Sequence, residues 1–471
     1  MTIEQIYTGC IAHAAYYIEC NGEAAIVDPL REVESYLNRA QKDGAQIKYV
    51  FETHFHADFV SGHLDLAAKT GAQIVYGPTA KPGFEALVAR DGQEFKVGDC
   101  SIKAIHTPGH TLESTCYLVS DANGKPHGLI SGDTLFIGDV GRPDLAQHVI
   151  ADLTQDKLAR MLYHSLRDKI MPLPDDVIVY PNHGAGSACG KMMSKETTDT
   201  LGNQKKTNYA LNPSLTEDEF VTALLTGLTT PPGYFPKNVL MNLQGYESLD
   251  LILDRAQQPL TPDEFGYKAL HEHAIMLDVR SAGDFANGFI PGSINIGIDG
   301  NFAMWVGEMI ADIQQPILLI ADPGKEVEAL IRLSRVGYDR TIGYLEGGFN
   351  RWKQAGKPVE TVERINAEEL KNRLNAGVIP VIDVRKKSEF DSEHLVGAVN
   401  IPMNELYKRL DEIPKDEPFV LHCAGGYRSM IAASILKQLG WNNFVDVSGG
   451  FAEIKQSQLP VTEYVCPSTL L

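Results

Sequence analysis

The chain has 471 residues and a formal net charge of −19. That length suggests about three domains, and that charge disfavours nucleic acid and anionic membranes as partners. Apolar residues make up 44% and charged residues 22%, the balance of a soluble globular protein. No cationic leader opens the chain and no apolar run is long enough to span a bilayer. Seven cysteines, odd in number and irregularly spaced, read as free thiols in a reducing cytoplasm and not as a disulfide framework.

In chain order, residues 1–30 alternate apolar and polar and predict a hairpin that starts a first sheet. Glu32 to Lys42 predicts an amphipathic helix closed by Gly44. Tyr49–Phe51 reads as a buried strand, Leu64 to Ala68 as a helix, and Gln73–Tyr76 as a further strand. Val97 to Ile105 and Thr115 to Val119 read as strands, Leu153 to Arg167 as a helix, and Val177 to Tyr180 as a strand. Residues 213–245, rich in proline and apolar helix, predict an extension that finishes this part and leads to a linker.

Between the strand at 49–51 and the helix at 64–68 lies Thr53-His54-Phe55-His56-Ala57-Asp58-Phe59. Residues two apart on an extended segment point to one side, so His54, His56 and Asp58 can converge on one cation. Asp and Ser are also common at helix starts, but further candidate ligands follow. His110, Asp133 and His183 each sit just past a strand-like run, next to Gly or Pro.

The second half holds a repeat of about 100 residues, an ordinary single-domain length. Leu277-Asp278-Val279-Arg280 matches Ile382-Asp383-Val384-Arg385, and Glu346-Gly347-Gly348-Phe349 matches Ser448-Gly449-Gly450-Phe451. Strands alternate with helices in each copy, which predicts small parallel α/β domains. The last copy carries Phe419-Val420-Leu421-His422-Cys423-Ala424-Gly425-Gly426-Tyr427-Arg428-Ser429 before an apolar helix. A Cys between a strand and a helix N-terminus faces backbone N–H groups and the positive end of the helix dipole, which favour thiolate. Arg428 adds positive charge, and Ala424, Gly425, Gly426, Tyr427 and Ser429 form the cradle. Cysteine phosphatases space Cys and Arg by one residue more, so this smaller loop suits a persulfide sulfur better than phosphate. His422 reads as an ordinary strand-end residue. The first copy has Asp322-Pro323-Gly324-Lys325-Glu326 at this place and no thiol. A carboxylate cannot carry a sulfane sulfur, so that copy is expected to be catalytically dead.

The metal-ligand motifs, in this order, resemble the metallo-β-lactamase superfamily, and the two repeats resemble rhodanese domains. The fold implied is α/β: an N-terminal αβ/βα sandwich over 1–250, an inactive rhodanese-like domain over 262–360, and a catalytic one over 364–466. Dinuclear zinc hydrolases of the superfamily carry a further His where this chain has Phe59, and a phenyl ring cannot coordinate. His54, His110 and Asp133 would then make a site of two imidazoles and one carboxylate, the ligand set of non-haem Fe(II) oxygenases. The persulfide dioxygenase branch uses this triad, and the sequence resembles that branch, Gly141-Arg142-Pro143-Asp144 included. That resemblance makes His56, Asp58 and His183 groups that surround the ligands and tune them, or ligands themselves if the site is dinuclear.

The expectations follow. One Fe(II) per chain, with zinc as the alternative, serves a persulfide dioxygenase that makes sulfite from O2 and a thiol persulfide such as that of glutathione or coenzyme A. Cys423 then forms thiosulfate as a sulfurtransferase. Arg142 is expected to grip the thiol carrier, bidentate on a carboxylate or phosphate. Cys189, in a Gly-rich loop after His183, either meets substrate in the metal pocket and relays sulfur, or fills the core as a small hydrophobe. Cys10, Cys20, Cys100 and Cys116 are expected in the core. The alternatives are a zinc thioester hydrolase of the glyoxalase II kind fused to a sulfurtransferase, and a sulfur carrier with a structural metal. A homo-oligomer is expected from family habit.

Overall fold

The computed structural model describes residues 1–145, 153–228, 230–377 and 379–466. They form two compact units, one of Met1–Ile252 with Leu333–Tyr338, the other of Leu253–Arg332 with the described residues from Asp339 onward.

The first unit contains two six-stranded sheets. One runs in the order β1 (Thr2–Thr8), β2 (His13–Cys20), β3 (Glu23–Val27), β4 (Gln46–Phe51), β5 (Gln73–Tyr76), β6 (Leu87–Val88). The expected opening hairpin is thus a three-stranded antiparallel meander, β1 to β3, and β3 to β6 are parallel. The second sheet is built of β7 (Glu94–Val97), β8 (Cys100–His106), β9 (Thr115–Ser120), β10 (Pro126–Gly132), β11 (Ile178–Pro181) and β12 (Asp199–Thr200), in sequential order. The strand expected over 97–105 is β8, which starts later, at Cys100; Val97 ends β7, because Gly98 turns the chain at positive φ between the two.

Side-chain alternation builds the layers. Along β2, Ala14, Tyr16 and Ile18 join Phe51, Val75, Ile102, Tyr117 and Ile130 in one core drawn from both sheets. Ala15 and Tyr17 face the opposite way, towards Tyr36, Ala40 and Leu66 of helices Glu34–Asp43 and His63–Thr70. The outer face of the second sheet is covered through Ala159, Leu162, Phe220 and Leu224 of helices Gln155–His164 and Glu217–Leu225. Both faces of each sheet are therefore covered, and β2 and β3 are buried along nearly their whole length instead of alternating as expected over 1–30. Truncating a core ring such as Phe51 to Ala would cost about 3–5 kcal/mol.

The helix expected over 153–167 starts at Gln155, capped by the Thr154 side chain, and widens into a π-helix over Ser165–Ile170. Two cysteines expected as free core residues are not free: Cys20, closing β2, and Cys100, opening β8, form a disulfide between the two sheets. Cys10 lies outside the strands, half-buried, with its sulfur accepting from Arg335 at 3.3 Å. Cys116 is buried as expected.

In the second unit the two repeats fold alike. The first copy has β13 (Pro259–Leu260), β14 (Ile275–Asp278), β15 (Ile294–Asn295), β16 (Ile317–Ile320) and β17 (Thr341–Leu345), ordered β13-β17-β16-β14-β15. The second has β18 (Arg364–Ile365), β19 (Val381–Asp383), β20 (Val399–Asn400), β21 (Phe419–His422) and β22 (Phe444–Val447), ordered β18-β22-β21-β19-β20. All pairings in both sheets are parallel. The repeated landmarks are structural. Arg385 pairs with buried Asp383 and lies 3.9 Å over the Phe451 ring; Arg280 does the same with Asp278, 4.2 Å over Phe349.

Candidate metal centre and sulfur site

Four strands of the first unit deliver polar side chains from their C-terminal ends: β4 leads to His54, β8 to His110, β10 to Asp133 and β11 to His183. Among the described residues, His54, His110 and Asp133 form one group whose donor atoms lie within 4.8 Å of one another, all buried. Nε2 of His110 is 3.4 Å, and Nε2 of His54 4.0 Å, from Oδ2 of Asp133.

Hydrogen bonds set the orientation of both rings. Nδ1 of His110 meets the Arg142 carbonyl at 2.7 Å, so Nδ1 carries the proton and, in the neutral ring that binds metals, Nε2 keeps its lone pair. Nδ1 of His54 meets the Thr53 hydroxyl at 3.0 Å, and that hydroxyl donates its one proton to Asp28 at 2.9 Å. Thr53 must therefore accept from His54, which again leaves Nε2 bare. Burial, helped by the neighbouring His56 and His110, holds His54 well below the usual histidine range, in the neutral form that binds metals. Among the described residues, neither carboxylate oxygen of Asp133, both buried, has a hydrogen-bond partner. Two lone pairs and an unpaired buried carboxylate facing each other are the donors a divalent cation needs. Gly141 fits beneath: a Cβ there would stand 2.9 Å from Nδ1 of His110.

Alternation along 54–58 does not bring His54, His56 and Asp58 onto one cation. The chain past β4 bends, and the three side chains enter three different groups. Nε2 of His56 points to Asp28 at 3.0 Å and Glu52 at 3.3 Å. Burial works against its charge, but the two carboxylates outweigh it and hold His56 well above the usual range. Burial pushes the Glu52 carboxyl up to about 7. Asp58 lies with His183 and Cys189, again within 4.8 Å and buried. His183 Nε2 is 3.5 Å from Asp58 and 3.5 Å from Oδ1 of Asp133, so the Asp133 carboxylate stands between the two groups. Burial, then the charges of Asp58 and Asp133, push the Cys189 thiol well above its usual range. Phe59 is fully buried between the rings of His13 and His56.

Arg142 is held within its own loop. Its guanidinium is buried and bidentate on Asp144, at 2.6 and 2.7 Å, and also donates to the Ala188 carbonyl. Its side chain thus braces the loop whose carbonyl orients His110.

Sequence reading missed the groups that hold this loop. Asn242, on helix Phe235–Gln244, donates to the carbonyls of His56 and Phe59 at 2.8 Å each and accepts from Ser61 N–H at 2.9 Å. The Arg335 carbonyl accepts from Val60 N–H at 2.6 Å. Asp28 sits at positive φ, a strained backbone for a non-glycine residue, and from there serves Thr53 and His56 together. The one signal for Asp28 was its place at the end of β3, level with the end of β4.

In the second unit Cys423 follows β21 and is 1% exposed. Gly426, the left-handed N-cap of helix Tyr427–Gln438, donates its N–H to the Cys423 sulfur at 3.1 Å. The carbonyls of Cys423 and Ala424 accept from Phe451 and Ala452 at the start of helix Gly450–Gln456. Gly425 has open space where a Cβ would point, and Ser429 is buried below the loop. Arg428 does not stand as an isolated charge: it is bidentate on Glu389, at 2.6 and 2.9 Å. His422 is buried, and burial lowers its pKa. In the other copy the Gly324 N–H of the corresponding loop is bonded by the Glu326 carboxylate at 2.7 Å.

A model of the metallo-beta-lactamase superfamily matches residues 8–183, and a rhodanese-like domain model matches 262–355 and 366–457. A solved metallo-beta-lactamase structure from Staphylococcus aureus subsp. aureus COL is 32% identical with a TM-score of 0.64, over 74% of this chain and 98% of that one. A probable hydroxyacylglutathione hydrolase, glo2, of Schizosaccharomyces pombe is 31% identical over 175 residues, 36% of this chain and 62% of that protein. A hydroxyacylglutathione hydrolase of Polaromonas sp. is 34% identical over 190 residues, 39% of this chain and 66% of that protein. The chain thus spans just under two thirds of the length of either hydrolase.

Proposed function

The chain belongs to the metallo-beta-lactamase superfamily, with two rhodanese-like domains behind that fold, and we propose that it is an Fe(II) persulfide dioxygenase coupled to a sulfurtransferase. One low-molecular-weight persulfide, one O2 and one water give the thiol, sulfite and two protons. The Cys423 thiol takes the outer sulfur of a second persulfide, releasing its thiol, and the Cys423 persulfide passes that sulfur to sulfite as thiosulfate. Glutathione and coenzyme A persulfides are the substrate class, and the copy at 262–360 is catalytically silent.

The observation that carries this reading is the segregation of ligands. Two imidazoles and one carboxylate face each other, while His56 is tied to Asp28 and Glu52 and Phe59 offers no donor. His54, His110 and Asp133 would hold the iron, which when bound supplies the redox chemistry of O2. Thr53 and the Arg142 carbonyl keep the two imidazoles presenting Nε2. Cys423 acts as the covalent nucleophile, with the Gly426 N–H at its sulfur.

A second reading is a zinc thioester hydrolase fused to a sulfurtransferase. The names of the two hydrolase relatives favour it, as does the Asp58–His183–Cys189 group beside Asp133. Metal analysis of anaerobically purified protein, with oxygen uptake on defined persulfides, separates the two. About one iron per chain and oxygen consumption are expected; two zincs with thioester cleavage overturn the proposal. Cys423→Ser is expected to keep sulfite formation and lose thiosulfate.

A further inference from the structure

Helix Tyr427–Gln438 is buried at every position from Ser429 to Leu436. A helix apolar all round needs cover on more than one side. Its own sheet covers one. Along another, residues 427, 434 and 438 share a face, two to three turns apart, and all three bond to residues 292–297 of the thiol-free copy. Tyr427 donates its hydroxyl to the Gly297 carbonyl at 2.7 Å, Ser434 Oγ accepts from Asn295 N–H at 2.9 Å, and Gln438 donates to the Gly292 carbonyl at 3.0 Å.

The contact at Tyr427 is a built seat. A Cβ on Gly300 would overlap the Tyr427 ring, and a Cβ on Gly297 would touch it at 3.4 Å. The ring thus fills the place where a side chain at 300 would stand. The segment under it is fixed in turn, since Arg332 donates to the Ile298 carbonyl at 2.6 Å. Tyr427 follows Gly426 directly, and the Gly426 N–H is the one that meets the Cys423 sulfur. Gly426 has positive φ, a conformation with little to hold it from within. A neighbour anchored at its ring and hydroxyl supplies that hold.

We propose that Tyr427 is a positioning residue for the Cys423 loop, and that the thiol-free copy serves the sulfur site by seating it on Gly297 and Gly300. This gives the silent copy a function in the reaction: it fixes the angle at which backbone N–H meets the sulfur. The proposal rests on the sulfurtransferase reading of Cys423.

The test uses the full chain with Tyr427→Phe, Gly300→Ala and Gln438→Ala. Two readouts are taken: sulfur transfer from a defined persulfide to sulfite, and the pH profile of Cys423 alkylation, which needs no turnover. Tyr427→Phe keeps the ring and loses one hydrogen bond. It is expected to lower kcat about fivefold, the worth of a net hydrogen bond, with KM unchanged and the alkylation midpoint moved to higher pH. Gly300→Ala displaces the ring and is expected to exceed tenfold. Gln438→Ala, on the same face but remote from the loop, is expected to leave both readouts at wild-type values. Wild-type kcat and alkylation profile in Tyr427→Phe overturn the proposal even if Gly300→Ala fails to fold. Equal losses in Gln438→Ala overturn it too, because they mark general loosening of the helix. If wild type itself shows no transfer, the sulfurtransferase reading falls, while the alkylation profile still decides the seat.

Discussion

Asp133 offers each carboxylate oxygen to a different set of imidazoles, Oδ2 to His54 and His110 and Oδ1 to His183. His56, two residues from His54, is paired with Asp28 and Glu52 and so belongs to a different group of donors from His54. The two histidines therefore differ in what their loss does. Asp133→Asn and His54→Ala should each empty the centre, leaving less than about a tenth of the wild-type metal by mass spectrometry. His56→Gln should keep the metal and lose about 3–5 kcal/mol of stability, because Asp28 and Glu52 are left buried without their cation. Metal loss in His56→Gln as complete as in His54→Ala, at retained fold, would reject this division. His54, His110 and Asp133 were legible in the sequence because each comes shortly after a strand-like run, His54 in a His-x-His-x-Asp stretch and the other two directly after a glycine. Asp28 and Glu52 were not, because one closes β3 and the other follows β4, and only the parallel pairing of those strands joins them. The pairing of Arg142 with Asp144 was not legible, because Asp144, two residues on, looks in sequence like one more loop carboxylate.

Helix Phe235–Gln244 shows how an element without catalytic groups positions a site. It comes from the apolar extension at 213–245, legible as helix but not as part of the centre, since nothing local ties residue 242 to residue 59. Asn242 makes three hydrogen bonds to backbone groups of the loop, at His56, Phe59 and Ser61. Two carbonyls and one N–H would be orphaned by Asn242→Ala, and buried orphans cost about 1–3 kcal/mol each, with partial relief by relaxation. A net loss of about 3 kcal/mol in denaturant unfolding is expected, along with faster amide exchange over 56–61. A variant as stable as wild type would show that the loop holds itself. The helix after Cys423 was legible as apolar, but what covers it was not: nothing local ties Ser434 and Gln438 to Asn295 and Gly292, to which they bond. The Cys20–Cys100 disulfide escaped the sequence for the same reason, since closing one sheet on the other makes neighbours of residues 80 apart.

At the scale of the whole chain the question is what passes between the metal centre and Cys423. Strand order in the two rhodanese-like copies is the same, yet only the second has a cysteine after its central strand, so the proposed function gives the chain one sulfur-carrying site and one metal site to connect. The proposed chemistry sets what must travel. Cys423 loads from a persulfide in solution, so the sulfane sulfur need not come from the metal centre. Only sulfite must, and sulfite is a small anion released without any covalent tether to the protein. Transfer through solution therefore satisfies every atom of the scheme. Mixing His54→Ala, which lacks the first step, with Cys423→Ser, which lacks the second, should restore thiosulfate from persulfide and O2. A lag is expected while free sulfite accumulates, and wild type at the same site concentration should show a lag of similar length. Free sulfite added to His54→Ala should abolish it. If wild type forms thiosulfate without a lag and the mixture forms none, sulfite is handed over without leaving the protein, and transfer through solution is excluded.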